Sequence, residues 1–132
     1  MAAILLDTTI LIDLLRGREG AARRLRDLIA RGDSPYTCAI NVDEVTRGIR
    51  ETEEGSAVAL FTGLRIVPLD TGEGRRSGGW RRAFAAQGVT LSQADCLVAA
   101  AAVGIGARLA TGNPKDFPMP ELEVEHWPVG DL

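Results

Sequence analysis

Short apolar runs alternate with longer amphipathic stretches along this chain. Ala3–Leu6 is an apolar run of strand length, whereas Glu19–Arg31 places Leu25 and Leu28 on one helical face and ends at Gly32. The alternation continues along the sequence without an internal repeat or a linker-like tract. We therefore expect one domain over residues 1–132 with an α/β fold, a three-layer α/β/α sandwich around a mainly parallel sheet.

The pattern predicts four to five strands and six helices. The strands are expected at Ala3–Leu6, Tyr36–Ile40, Arg65–Leu69, Arg108–Thr111 and, as the fifth, Val124–Trp127. The helices are expected at Thr9–Arg16, at Glu19–Arg31, from Asn41 as N-cap to about Glu51, at Gly55–Leu64, at Thr71–Gln87, and from Ser92 as N-cap to about Val103. Ser34-Pro35 is expected to form a turn, and Gly112–Phe117 is expected to form a loop. Gly78-Gly79 are expected to weaken the middle of the helix at Thr71–Gln87. Pro68 favours an edge position for the third strand because proline cannot donate to a sheet.

Composition and charge exclude several classes of protein. The chain is 45% hydrophobic, and no stretch approaches the ~20 apolar residues of a membrane span. No basic region precedes the first apolar run, so we expect a cytoplasmic protein. Cys38, Cys96 and His126 form no zinc-binding spacing, and one histidine excludes a ribonuclease built on paired histidines. Both thiols are expected to be buried and inert.

Four acidic residues recur where a predicted strand gives way to a helix or a loop: Asp7, Glu44, Asp95 and Asp116. In an open parallel sheet these junctions share one edge, which is the edge where ligands bind. Carboxylates that converge there would form a cage of hard oxygen ligands suited to Mg²⁺, with Mn²⁺ as a substitute. The pattern therefore predicts a metal-dependent site.

Each carboxylate also has a purely structural explanation. Asp7 is placed to cap the next helix, Glu44 and Asp95 have capping-box spacing, and Asp116 lies in a turn-forming loop. Helix capping does not explain why like charges gather at one edge, where they would repel one another without a cation. Asn113 competes with Asp116 for the fourth position, as a neutral oxygen ligand or as the holder of a water molecule.

Nearby polar residues divide into supporting and competing groups. Thr8 and Thr111 are expected to hold a carboxylate or a metal-bound water, unless they serve only a helix start and a strand end. Asp43 and Asp13 are expected on solvated faces, and Asp70 is expected to form a turn or cap.

Four segments together carry a resemblance to a known family. They are Leu5–Thr9, Asn41–Val45, Ser92–Ala100 and Thr111–Phe117, and they span most of the chain in a fixed order. The sequence resembles the PIN-domain ribonucleases, and most of all the VapC toxins of bacterial type II toxin–antitoxin pairs. This resemblance implies an α/β/α sandwich, Mg²⁺-dependent endonucleolytic cleavage of RNA, a homodimer, and a small antitoxin partner (VapB-like) that fills the active-site groove.

The resemblance also implies residue roles. The first, second and third acidic positions of the family fall on Asp7, Glu44 and Asp95, and the fourth falls on either Asn113 or Asp116. From the residues themselves, Asp7 and Asp95 are the expected direct ligands, Glu44 a ligand or a base acting through water, and Asp116 the completing ligand or part of a second metal site. Single-stranded or looped RNA is the expected substrate class, because a flexible strand can bend into an acidic cleft.

The basic residues permit two interpretations. The net charge of −3 does not itself attract nucleic acid. Once the four acidic residues hold cations, the arginine-rich rest of the protein dominates its electrostatic field. Arginines 75, 76, 81 and 82 surround Trp80 and could grip RNA while Trp80 stacks on a base, or they could form a solvated face over a packed Trp80. Trp127 is expected to pack.

The sequence permits two alternative functions and also predicts an oligomeric state. A phosphoacceptor receiver-type domain would share the acidic strand ends, and an inert PIN-fold module would bind RNA or a partner without cleaving. The apolar faces at Ile10–Leu15 and Val58–Leu64 exceed what one layer over a sheet requires, which predicts a homodimer.

Overall fold

The computed structural model describes residues 1–130, which form five parallel strands between two helical layers. The strands are β1 (Ala3–Leu6), β2 (Ser34–Cys38), β3 (Arg65–Val67), β4 (Arg108–Thr111) and β5 (Val124–His126). The helices are α1 (Thr8–Leu15), α2 (Glu19–Ala30), α3 (Ala39–Gly48), α4 (Glu54–Thr62), α5 (Thr71–Ala85) and α6 (Gln93–Gly104), with 3₁₀ turns at Glu51–Glu53 and Pro114–Asp116. The predicted α/β/α sandwich is confirmed; residues 131–132 of the predicted domain lie outside the described residues.

Alternating side chains of the central strand build the two halves of the core. Ile4 and Leu6 belong to a buried cluster with residues of α1–α4, whereas Leu5 belongs to a second cluster with residues of α5 and α6. This division follows from the period of two in a strand, where successive side chains point to opposite faces. Helices therefore cover both faces of the sheet.

The strand order β3-β2-β1-β4-β5 creates a switch point beside β1. The chain leaves β1 toward β2 and β3 on one side, and later returns to β4 on the other side. The connections diverge at this point, which opens a crevice beyond the carboxyl ends of β1 and β4. Asp7 follows β1 and Gly112 follows β4, so both lie at the crevice.

The predicted boundary between β2 and α3 is wrong. Strand β2 begins at Ser34 rather than Tyr36, and α3 has Cys38 rather than Asn41 at its N-cap. Pro35 pairs with Ile4 of β1, while β3 joins β2 only from Tyr36 onward. Proline is tolerated there because the strand has a single neighbour at that position. Helix α3 also ends earlier than expected, at Gly48.

Three further expectations can be compared with the structure. Helix α5 runs without interruption through Gly78-Gly79, which were expected to weaken it, because Ser77 and Trp80 anchor it in the core. Strand β3 lies at the edge of the sheet, as Pro68 indicated, but it ends at Val67. The expected loop after β4 contains the 3₁₀ turn Pro114–Asp116.

The sequence suggested a solvated face for Asp13, but this prediction is wrong. Its side chain is buried, and its Oδ2 accepts a hydrogen bond of 2.8 Å from the backbone N–H of Gly130. Asp43 is exposed and Cys38 and Cys96 are fully buried, as predicted. Within residues 1–130, no helix has the length and apolar character needed to cross a membrane.

Candidate metal centre

The four predicted carboxylates line one open cleft at the carboxyl edge of the sheet. Asp7, Glu44, Asp95 and Asp116 come from four separate segments and surround a volume of about 340 Å³. Asn113 lines the same cleft. The sheet topology therefore brings together residues that are 109 positions apart at the extremes (7 to 116).

Asp7 forms the deepest wall of the cleft. Its side chain is only 7% exposed because β1 ends there between two neighbouring strands. Its Oδ2 accepts a 2.7 Å hydrogen bond from Thr111 Oγ1, and its Oδ1 accepts a 3.2 Å bond from Asn41 Nδ2. Both carboxylate oxygens are thus hydrogen-bonded within the protein, and each can still offer a lone pair to a ligand.

Thr8 and Thr111 hold carboxylates, as the sequence suggested. Thr8 Oγ1 donates to Glu44 Oε1 at 2.7 Å, which links the first turn of α1 to α3. Thr111 Oγ1 donates to Asp7 and accepts a 3.1 Å bond from the backbone N–H of Asn113. The two hydroxyls therefore fix two of the four carboxylates and the start of the loop after β4.

Asn41 belongs to the site, although the sequence indicated only a helix cap. Its Nδ2 donates to both Asp7 Oδ1 and Thr8 Oγ1, and its Oδ1 accepts a 3.1 Å bond from the N–H of Cys38. The side chain is fully buried. Its position three residues before Glu44 on one helix could have revealed it, since residues at this spacing share a face.

Asp95 and Asp116 form the more open side of the cleft. Asp95 lies in the first turn of α6, where its N–H donates to the Oγ of the predicted cap Ser92 at 3.0 Å. Asp116 lies in the 3₁₀ turn after β4 and is exposed. Two cations that the sequence analysis did not assign to the site lie nearby, since Arg47 lines the cleft and Lys115 precedes Asp116.

Two of the carboxylates, Asp7 and Asp95, have raised pKa values. Burial raises the pKa of Asp7, and the negative charges of Asp95 and Glu44 raise it further, against the opposing hydrogen bond from Thr111. Burial likewise raises the pKa of Asp95, with added repulsion from Asp116 and Glu44. A bound divalent cation would relieve both the repulsion and the cost of desolvation.

The donor set fits a hard divalent cation, but the expected closed cage is not formed. Within residues 1–130, no three Asp, Glu, His or Cys side chains are grouped closely enough to hold a metal ion. Hydrogen bonds from Thr111 and Asn41 hold Asp7, and a hydrogen bond from Thr8 holds Glu44. Carboxylate oxygens facing one cleft are nevertheless the ligands that Mg²⁺ and Mn²⁺ prefer.

The two tryptophans do not contribute a stacking platform. Trp80 is only 7% exposed, and its Nε1 donates to Glu121 Oε2 at 2.7 Å. Of the two interpretations, the packed Trp80 beneath a solvated face is confirmed, since Trp80 is part of the core and the neighbouring arginines of α5 are exposed. Trp127 is also buried, as predicted.

Comparison with known proteins identifies the family. The PIN domain model matches residues 4–118, so the chain belongs to the PIN domain family. Within that family the chain is of the VapC type. Ribonuclease VapC19 of Mycobacterium tuberculosis is 32% identical over 120 residues, which cover 90% of this chain and 96% of that protein. This membership confirms the resemblance and excludes the receiver-type alternative.

Solved structures agree with this assignment. A toxin-antitoxin complex from Klebsiella pneumoniae matches with a TM-score of 0.74 at 27% identity, covering 90% of this chain and 94% of that one. The DNA-bound VapBC structure from Salmonella typhimurium matches with a TM-score of 0.83 at 21% identity, over 96% and 99% of the two chains. The latter likeness shows a shared fold.

Proposed function

We propose that this protein is a Mg²⁺-dependent endoribonuclease and the toxin of a type II toxin–antitoxin pair. The observation that carries the proposal is the convergence of Asp7, Glu44, Asp95 and Asp116 on one cleft at the switch point of the sheet. The similarity to a protein named as a ribonuclease supports it.

The roles of the side chains follow from their surroundings. Asp7 and Asp95 are the proposed metal ligands, because burial and repulsion already oppose their ionisation unless a cation is present. Glu44, held by Thr8, would bind the metal or orient water, and Asp116 or Asn113 would complete the site. The bound cation, Mg²⁺ or Mn²⁺, would supply Lewis-acid activation of water and neutralise the phosphodiester.

The proposed substrate class is single-stranded or looped RNA, from transfer, ribosomal or messenger RNA. The cleft is open, so a flexible strand can lower its backbone onto the carboxylates. Arg47 lies on one side of the carboxylates and Lys115 on the other, where each can pair with a flanking phosphate.

A small antitoxin and a second copy of this chain are the proposed protein partners. The similar Klebsiella structure is a toxin-antitoxin complex, which supports a cognate antitoxin. We propose that this antitoxin covers the cleft. A homodimer would cover the apolar surface of α4, where Val58 is 59% exposed.

An inert PIN-fold module that binds RNA or a partner is the second candidate. Two observations favour it. Within residues 1–130 no three acidic side chains are close enough together to hold a metal ion, and the cleft contains Asn113 at a position where an acidic residue would complete the four carboxylates. Such a protein would bind RNA without metal-dependent cleavage.

Cleavage of a total-RNA mixture by the purified protein, in Mg²⁺ and in EDTA, tests the proposal. We expect cutting only with metal, and a loss of at least about a hundredfold in both Asp7→Asn and Asp95→Asn, since each removes a charged ligand. Asp43→Asn is the matched control, because Asp43 neighbours Glu44 but is exposed and does not line the cleft. Cutting that survives EDTA or both variants would show that the site does not carry the activity, and metal-independent binding without cutting would support the inert module.

A further inference from the structure

A second pocket lies directly beside the carboxylate cleft. It encloses about 330 Å³ and shares Asp95 and Asp116 with the cleft as a common wall. The volume is in the range of natural small-ligand sites. A strand whose phosphate lies on the carboxylates would therefore have its neighbouring nucleotide at this pocket.

The far wall of the pocket is apolar. Phe84, in the last turn of α5, is half-buried, and Val89 is 41% exposed in the segment between α5 and α6. Leu91 and Pro118 complete this wall. An apolar wall that includes an aromatic ring, open to solvent, is a surface that an unstacked nucleobase can cover.

The near side of the pocket is polar and charged. Lys115, the only lysine in the chain, lines the pocket from the same 3₁₀ turn that carries Asp116. Thr90 and Ser92 add hydroxyl groups. An ammonium group can bind a phosphate as a point charge, while hydroxyls can bond to the edge of a base.

We propose that this pocket binds the nucleotide adjacent to the cleaved phosphodiester, with its base against Phe84 and its phosphate at Lys115. The inference rests on the proposed function, because it takes the carboxylate cleft as the place where the strand is cut. Arg47 on the opposite side of the carboxylates then defines the path of the strand, from Arg47 across Asp7 and Asp95 to Lys115. The base preference of the nuclease would be set in this pocket.

Binding of a fluorescein-labelled, random-sequence single-stranded RNA, followed by anisotropy with Ca²⁺ in place of Mg²⁺, tests the pocket. Phe84→Ala should weaken binding about five- to a hundredfold, the change that corresponds to the loss of one stacked base. Phe84 also packs on the core. Phe84→Leu therefore serves as a second variant that keeps an apolar side chain but removes the aromatic face, and we expect it to weaken binding in the same direction.

Binding to a strand of abasic ribose-phosphate distinguishes the contact of Phe84 with a base from the contact of Lys115 with a phosphate. Lys115→Gln should weaken binding to both strands, whereas Phe84→Leu should weaken binding only to the strand with bases. Ile29→Ala and Arg23→Gln are the matched controls, since both residues are exposed on α2 and do not line the pocket. Unchanged binding in Phe84→Leu and Lys115→Gln would overturn the proposal.

The same proteins, assayed for cleavage in Mg²⁺, distinguish the pocket from the proposed function. If the wild type cuts and Asp7→Asn does not, while Phe84→Leu keeps the cleavage-site preference of the wild type, the nuclease stands and the pocket falls. If Phe84→Leu loses binding to bases but the wild type never cuts, the nuclease falls, and the pocket is a base-binding site without a role next to a cleaved bond. Failure of the wild type to bind RNA at all would overturn both.

Discussion

Asn41 joins three parts of the site through one buried amide group. Its Nδ2 contacts Asp7 and Thr8, and its Oδ1 receives the N–H of Cys38 at the start of α3. Because Thr8 in turn donates to Glu44, the amide fixes Asp7 and Glu44 relative to each other. Asn41 is thus a positioning residue.

Truncation of this amide should destabilise the protein. Asn41→Ala leaves the buried Asp7 Oδ1 and the Cys38 N–H without their partner, so we expect the free energy of unfolding to fall by about 1–3 kcal/mol in urea denaturation. Thr62→Ala is the control, because its hydroxyl bonds to the Val58 carbonyl on an exposed helix face. A change in Asn41→Ala no larger than that of Thr62→Ala would contradict the role of the amide.

The buried charge of Asp7 should make stability depend on pH and metal. Its pKa is raised in the folded state above the ordinary 3.8, chiefly by burial, so the folded protein binds this proton more tightly than the unfolded chain. The resulting stabilisation is complete below pH 3.8 and is lost as pH rises through the folded pKa. Asp7→Asn should therefore raise the melting temperature in EDTA near pH 7, and the gain should shrink toward acid pH.

Divalent metal should reverse the order of the two melting temperatures, so that the wild type melts above Asp7→Asn. Mg²⁺ that binds only the folded protein stabilises it by mass action, and the wild type should gain more than Asp7→Asn. Thermal melts with and without Mg²⁺ measure both effects, with Asp43→Asn as the control for an exposed carboxylate on the neighbouring helix. Equal gains in wild type and Asp7→Asn would place the cation elsewhere.

At the scale of elements, two N-caps in one helical layer provide a matched pair. Ser92 accepts the N–H of Asp95 at the start of α6, beside the cleft, whereas Asp70 accepts the N–H of Thr71 at the start of α5. The sequence predicted Ser92 as a cap and Asp70 as a turn or a cap, because a short polar side chain before a helix satisfies its free N–H groups. Their positions relative to the carboxylates differ.

Ser92→Ala and Asp70→Ala should cost similar stability but differ in activity. Each should lower the free energy of unfolding by about 1 kcal/mol, the usual effect of losing a cap. Only Ser92→Ala should also lower metal-dependent RNA cleavage, because it releases the turn that holds Asp95. Equal cleavage in the two variants, measured at the same fraction folded, would show that the cap does not position Asp95.

The sequence predicted the order of elements and the acidic positions well, because both are local signals. An apolar run followed by an acidic residue marks the end of a strand without knowledge of its neighbours, as at Asp7. The spacing of Asn41 from Glu44 indicates a shared helical face, but its contact with Asp7 depends on the register of β2 against β1, which is not a local signal. That register places Pro35 in a strand and moves the start of α3 to Ala39, which turns a presumed cap into a buried bridge.

The buried state of Asp13 shows the same limit over a longer distance. Its position on α1 fits a solvated face when the helix is considered alone. The chain after β5 returns over this face and places the Gly130 N–H against Asp13. A contact between residues 117 positions apart leaves no trace in local periodicity.

At the scale of the whole molecule, the proposed homodimer would cover the apolar surface of α4. Ile10 and Leu11 of α1 proved to be core residues, so they account for part of the apolar excess noted in the sequence. Val58 remains 59% exposed, next to the half-buried Leu60 and Phe61. A two-fold interface centred on α4 would remove this surface from water at roughly 25 cal/mol per Å².

A charge at Val58 should therefore dissociate the proposed homodimer without unfolding the chain. Val58→Glu changes an exposed side chain, for which fold stability usually shifts by less than about 0.5 kcal/mol. At an interface it would bury an unpaired carboxylate, so we expect the dimer to weaken at least about tenfold in sedimentation equilibrium at micromolar concentration. Ile29→Glu, at a residue 55% exposed on α2, is the control and should leave the dimer intact. A wild type that is already monomeric would contradict the dimer, whereas dissociation by Ile29→Glu alone would move the interface to α2.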